Sequence, residues 1–151
     1  MPNLKCILLV EDDPNDVELI MTGLAENNLA NEVVAVHDGA EALDYLYYRG
    51  KFESRAVRNP VVVLLDLKLP KIGGLDVLRQ IRNDEKLKLM PVVILTSSHE
   101  EKDVVEGYRL GTNGYVVKPL DFHEFVDAVK QTGAFWAVVN EPPPAGILKL
   151  Q

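Results

Sequence analysis

A chain of 151 residues suits one domain with its own core, and 47% hydrophobic with 26% charged residues is the make-up of a globular protein. A net charge of -7 with no basic stripe argues against nucleic-acid binding, and no apolar run reaches the ~18 residues that a membrane span needs. The start, Met1-Pro2-Asn3-Leu4-Lys5, leads into a strand with no room for a signal peptide, and the single cysteine, Cys6, reads as a small buried hydrophobe without a disulfide partner, so a cytoplasmic protein is expected.

Strand-like and helix-like segments alternate along the chain, the pattern of a parallel sheet with helices on both faces. Residues 5–10 read as the first strand. Asp13-Pro14 follows as an N-cap with proline at the first helical position, so Asp13 is read as a cap rather than a ligand. Val17, Ile20, Met21 and Leu24 then recur at helical spacing, and Asn27-Asn28 is the expected end of that helix. Residues 32–36 make a short second strand. Asp38-Gly39-Ala40-Glu41 has the form of a capping box and opens a helix through Ala42, Leu43, Leu46 and Tyr47. Residues 49–60 are polar and basic and read as a long exposed loop.

The third strand, residues 61–65, runs into Asp66, and a turn at Gly73-Gly74 leads to a helix with Leu75, Leu78 and Ile81. Pro91 precedes the fourth strand at 92–95, and a helix across 100–110 stops at Gly111, a C′ glycine. The fifth strand is 114–117. The last helix starts near Asp121 and is expected to bury Phe122, Phe125, Val126 and Val129. The stretch Gly133-Ala134-Phe135-Trp136-Ala137-Val138-Val139 is strongly apolar and follows a five-fold unit that is already complete. Pro142-Pro143-Pro144 then stops any helix and favours extended polyproline II, with Ile147, Leu148 and Leu150 beyond it. The chain divides on this reading into a domain at 1–133 and an apolar, proline-rich extension at 134–151.

The chemistry gathers at the carboxyl ends of the strands, where open α/β sheets place their ligands. These ends deliver Glu11-Asp12-Asp13, Asp66, Thr96-Ser97-Ser98 and Lys118-Pro119. Phosphoryl transfer needs an in-line nucleophile, a cation to neutralise oxygens and fixed donors for the developing charge. Asp66 is read as the nucleophile, forming an acyl phosphate. Magnesium takes oxygen ligands in an octahedron. Asp12 and Asp66 would supply carboxylates directly, Glu11 a contact through water, and Lys68 its backbone carbonyl. Lys118 would pair with one phosphoryl oxygen and Thr96 with another. His37, His99 and His123 are scattered and suggest no metal site.

The motifs Leu9-Val10-Glu11-Asp12-Asp13, Leu65-Asp66-Leu67-Lys68-Leu69-Pro70 with Gly73-Gly74, Leu95-Thr96-Ser97 and Tyr115-Val116-Val117-Lys118-Pro119 resemble, in this order and spacing, the receiver domains of two-component response regulators. The likeness covers roughly residues 4–131. It implies a doubly wound, flavodoxin-like five-stranded parallel sheet of order 2-1-3-4-5. It implies that the phosphohistidine of a sensor histidine kinase donates to Asp66, that a cis bond joins Lys118 and Pro119, and that Tyr115 is a switch following the Thr96 hydroxyl inward. Plain core edge is the other reading of Tyr115.

The opening Leu-Val-Glu-Asp-Asp-Pro, the long 49–60 loop and the Phe135-Trp136 tail are similar to the stand-alone regulators paired with phytochrome kinases, so a bacteriophytochrome is the implied type of kinase. In that subgroup the tail aromatics and last helix are associated with homodimers. Phe135 and Trp136 are therefore expected at an interface, the other reading being a cover for the protomer's own core. Lys68 departs from the pattern, because many relatives carry a small polar residue two positions after the phosphoacceptor. A long cationic side chain there would shield the acyl phosphate from water or pair with Glu11.

The expected function is that of a single-domain response regulator, phosphorylated on Asp66 with Mg2+ and signalling through partner binding or dimer state. It would have intrinsic self-phosphorylation and self-dephosphorylation chemistry. A phosphorelay intermediate, or a scaffold that binds independently of phosphorylation, is the alternative. An aspartyl phosphatase would need a second acid where Lys68 stands, and a flavin phosphate would be repelled by the strand-end acids.

Overall fold

The computed structural model describes residues 5–26 and 31–144. Strand β1 (Lys5–Val10) leads to helix α1 (Pro14–Ala25), β2 (Asn31–Val36) to α2 (Gly39–Leu46), and β3 (Val62–Leu65) to α3 (Gly74–Asn83). The alternation closes with β4 (Val92–Thr96), α4 (Glu101–Arg109), β5 (Gly114–Val117) and α5 (Phe122–Ala134). The five strands form one sheet of order β2-β1-β3-β4-β5, every neighbouring pair parallel. Parallel strands need crossover connections, and the helices supply them.

The inner strands are apolar without a break because both faces are covered. Leu8, Val10, Val63, Leu65, Val92 and Ile94 pack with Leu43, Leu46, Val77, Leu78 and Ile81 of α2 and α3. The alternate residues Ile7, Leu9, Val62, Leu64, Val93 and Leu95 pack with Ile20, Leu24, Phe125 and Val129 of α1 and α5. One run of apolar residues thus feeds two cores, because side chains alternate across a strand.

The helix starts follow the expected chemistry. Asp13 caps α1, its Oδ1 accepting from the backbone N–H of Asn15 at 2.9 Å. At α2 the Asp38 carboxylate accepts from Glu41 N–H at 2.7 Å, and the Glu41 carboxylate reaches back to the N–H of His37, one residue before the cap. Asp121 caps α5 through Glu124 N–H at 2.9 Å. Gly111 has φ +96°, the left-handed conformation that ends α4. Gly74 is required for another reason: a Cβ there would lie 2.1 Å from the Asp66 carbonyl oxygen, so only glycine lets α3 start beside the β3 end.

Two expectations need correction. Phe122 is 57% exposed, because α5 buries Phe125, Val126 and Val129 and leaves its first residue on the outer side. The Lys118–Pro119 bond is trans. Residues 49–60 are the expected long, largely exposed loop, and within it a 3₁₀ turn spans Gly50–Phe52 and the Arg55 guanidinium lies 3.9 Å from the Tyr45 ring centre and 3.8 Å from that of Tyr48. Helix α5 runs on without a break into a π-helical turn, Phe135–Val139. The expected helix end at Asn27-Asn28 and the apolar Ile147, Leu148 and Leu150 lie outside the described residues. Among the described residues no helix is long and apolar enough to cross a membrane.

Candidate functional site

Strand order places β1, β3, β4 and β5 side by side, and their register aligns the carboxyl ends. Val10 lies opposite Leu65, Leu65 opposite Ile94, and Thr96 opposite Val117. The ladder continues one residue past three strands. Glu11 N–H donates to Val36 O at 3.0 Å, Asp66 N–H to Val10 O at 3.1 Å, and Lys118 N–H to Thr96 O at 2.7 Å. The backbone of each functional residue is therefore held by the neighbouring strand although its side chain is free to enter the pocket.

The centre of the pocket is the Lys118 ammonium, with a side chain only 6% exposed. Its Nζ donates to Glu11 Oε1 at 2.6 Å, to Asp16 Oδ2 at 2.8 Å and to Asp66 Oδ2 at 3.1 Å. The other oxygen of Asp66, Oδ1, accepts from Leu67 N–H at 2.7 Å. Glu11 Oε2 accepts from Asp13 N–H at 3.1 Å. Burial alone would lower the Lys118 pKa, but the hydrogen bonds to Asp16 and Glu11 and the Asp66 charge outweigh it, so the ammonium is held above its ordinary range. Burial pushes the Glu11 carboxyl up to about 7, with the Lys118 hydrogen bond opposing and the Asp66 charge reinforcing the shift.

The expected residues assemble as follows. Glu11 and Asp66 are buried, Asp12 is exposed, and each offers an oxygen within 4.8 Å of the others. Thr96 is fully buried at the end of β4, and its Oγ1 accepts from Ser98 N–H at 3.4 Å. Tyr115 is half-buried and its hydroxyl donates to the Ser98 carbonyl at 2.9 Å. The Ser98 hydroxyl in turn donates to Asp103 at 2.5 Å. Tyr115 thus holds the same loop that begins at Thr96. Lys68 stands exposed two residues after Asp66.

Phe135 and Trp136 lie elsewhere, at the end of α5, with their rings edge to face at 5.1 Å. Trp136 packs on the core shared with α1, whereas Phe135 is 46% exposed and Val138 and Val139 more so. Asp16 was not singled out from sequence. Its signal was an acid in the first turn of α1, immediately after the acid pair of β1.

Glu11, Asp16 and Asp66 engage one ammonium and the exposed Asp12 stands beside Glu11 and Asp66, so the pocket holds more carboxylates than cations and offers hard oxygen donors. That donor set fits a divalent cation such as Mg2+ or Mn2+.

The family model for the response regulator receiver domain matches residues 7–130. The chain belongs to the response regulator receiver domain family. This receiver is 37% identical over 141 residues to the response regulator Rcp1 of Synechocystis sp., covering 93% of the chain and 95% of that protein. Among solved structures it resembles the phosphorylated cyanobacterial phytochrome response regulator RcpA, with TM-score 0.88 and 38% identity over 94% of this chain and 100% of that one. The Mn2+-bound form of Rcp1 matches with TM-score 0.87 and 36% identity over 93% and 99%. The bacteriophytochrome response regulator RtBRR has 55% identity and a TM-score of 0.75, over 97% of this chain and 90% of that one. The receiver accordingly works in phosphorylation-based two-component signalling, with an acidic pocket of the kind that binds a divalent metal ion.

Proposed function

We propose that Asp66 is the phosphoacceptor and that a sensor histidine kinase of the phytochrome type donates to it. The observation carrying this reading is the Asp66 carboxylate at the β3 end, 3.1 Å from a buried lysine and beside two further acids. Asp66 Oδ2 attacks phosphorus and the P–N bond to the donor histidine breaks, leaving an acyl phosphate on Asp66. Glu11, Asp12, Asp66 and the Lys68 backbone carbonyl would hold Mg2+, which supplies charge neutralisation for the phosphoryl oxygens. Lys118 pairs with one of those oxygens, and the Thr96 hydroxyl with another.

The switch follows from the contacts of Thr96. When its hydroxyl turns to the phosphoryl group, its bond to Ser98 N–H is lost and the loop carrying the Ser98 carbonyl is released. Tyr115, bonded to that carbonyl, then changes partner and moves inward. Phosphorylation biases a two-state element in this way. The half-exposed Phe135, with Trp136 beneath it, contributes to a homodimer interface at the end of α5. The receiver acts in the cytoplasm, where the catalytic domains of sensor kinases operate.

The deciding experiment is labelling by acetyl phosphate or by a kinase with Mg2+ present. Asp66→Asn is expected to remove all labelling. Undiminished labelling of that variant would show that another residue accepts the phosphoryl group.

A further inference from the structure

The ladder between β1 and β2 runs one rung past its strands, with Glu11 N–H donating to Val36 O at 3.0 Å. At the next acceptor a side chain takes over: His37 Nδ1 lies 3.2 Å from the Glu11 carbonyl oxygen. A carbonyl can only accept, so the proton of this bond is on Nδ1. His37 is itself fixed, because its backbone N–H donates to Glu41 Oε1 at 2.7 Å. Glu41 is held from two sides. Its N–H donates to the Asp38 carboxylate at 2.7 Å, and Lys51 of the 49–60 loop brings its Nζ within 2.5 Å of Glu41 Oε2. A continuous run of polar contacts therefore leads from that loop, through the α2 cap, to the backbone of the acid pair.

The Glu11 carbonyl shares a planar peptide with Asp12 N–H, so fixing the carbonyl sets the plane from which the Asp12 side chain departs. Asp12 is the exposed member of the Glu11, Asp12 and Asp66 cluster, so burial does not hold it in place. We infer that His37 is a positioning residue for the metal site: its imidazole holds the Glu11–Asp12 peptide so that the Asp12 carboxylate stands beside the other two before a cation arrives. This inference rests on the reading of that cluster as the Mg2+ site. Its benefit is preorganisation, since less binding free energy is lost to ordering ligands that are already in place.

Mg2+ alone is the probe, titrated by calorimetry at fixed pH into the full chain, with urea unfolding in the absence of the cation measured alongside. His37 is exposed, so its replacement leaves the core intact. His37→Ala is expected to weaken Mg2+ binding about fivefold, the scale of one hydrogen bond. His37→Asn is expected to recover the parent affinity to within about twofold, because the asparagine amide nitrogen stands near the place of Nδ1 and donates as it does. A purely structural His37 would lower the unfolding midpoint of His37→Ala and leave its Mg2+ affinity at the parent value, and that result overturns the inference. Equal weakening in His37→Asn and His37→Ala overturns it as well, because the donor would then not be what matters. A parent protein that binds no Mg2+ overturns the cluster as the metal site and takes the inference with it.

Discussion

Lys118 is the buried cation of an acidic pocket, and its neighbours differ in how far solvent reaches them. Glu11 and Asp66 are buried with it, whereas Asp12 and Lys68 are exposed at the rim. The rim is where water must approach an acyl phosphate, and Lys68 carries a long cationic side chain at that rim. Replacing it with a shorter neutral residue opens the approach and removes a counter-charge. Lys68→Asn is therefore expected to lose the phosphoryl group several-fold faster than the parent, followed as decay of the labelled protein in the absence of donor. Equal or slower decay in the variant would remove Lys68 from the account of lifetime.

At the scale of elements, the site depends on how strand ends are held relative to the helices behind them. Arg82, in the last turn of α3, ties that helix to the loop before β5. Its Nε donates to Gly111 O at 2.8 Å, its guanidinium nitrogens to Met90 O at 2.8 Å and to Asn113 Oδ1 at 2.8 Å, and Asn113 Oδ1 also accepts from Val92 N–H at 2.8 Å. One side chain thus fixes the start of β4 and the approach to β5, the two strands that end in Thr96 and Lys118. Burial lowers the Arg82 pKa, yet a guanidinium stays charged. Arg82→Ala leaves three backbone carbonyls, those of Gly111, Lys88 and Met90, without this donor and is expected to cost about 2–3 kcal/mol. Urea unfolding would show this as a lower midpoint at an unchanged slope. A midpoint within error of the parent would mean that water replaces the clamp.

At the scale of the molecule, α5 and its π-helical continuation close one face of the sheet and present the other side outward. Lys5 Nζ donates to the Ala137 carbonyl at 2.5 Å, and Ala137 is buried, so this turn is fastened to the start of β1. Phe135, Val138 and Val139 remain outward, a contiguous apolar set of the kind that marks an interface. Light scattering is expected to give a dimer mass, and Phe135→Ala to weaken the dimer about tenfold or more, as loss of a buried aromatic does. A monomer mass at all concentrations, with and without acetyl phosphate, would leave this patch to another partner. Trp136→Ala is the less suitable probe, because Trp136 packs on the protomer's own core.

The sequence by itself determined the elements and which polar residues stand at the strand ends. Apolar runs of four to six residues ending in Glu11, Asp66 and Thr96, alternating with helical patterns, read as central strands whose polar ends emerge at one edge, and a parallel sheet brings those ends together. Asp13 and Asp38 were legible as caps, and Asp121 as the start of the last helix, because capping is a local hydrogen bond between residues two or three apart. What depends on packing at a distance was not legible. The outward place of Phe122, the partial burial of Trp136 beside an exposed Phe135, and the stacking of Arg55 between Tyr45 and Tyr48 are set by packing between distant parts of the chain. The contact of Asp16 with Lys118 joins residues 102 positions apart. Nothing local distinguishes Asp16 from any first-turn acid that favours a helix N-terminus. Only the tertiary structure, by bringing the β5 end across to the first turn of α1, decides that this carboxylate faces the lysine rather than solvent.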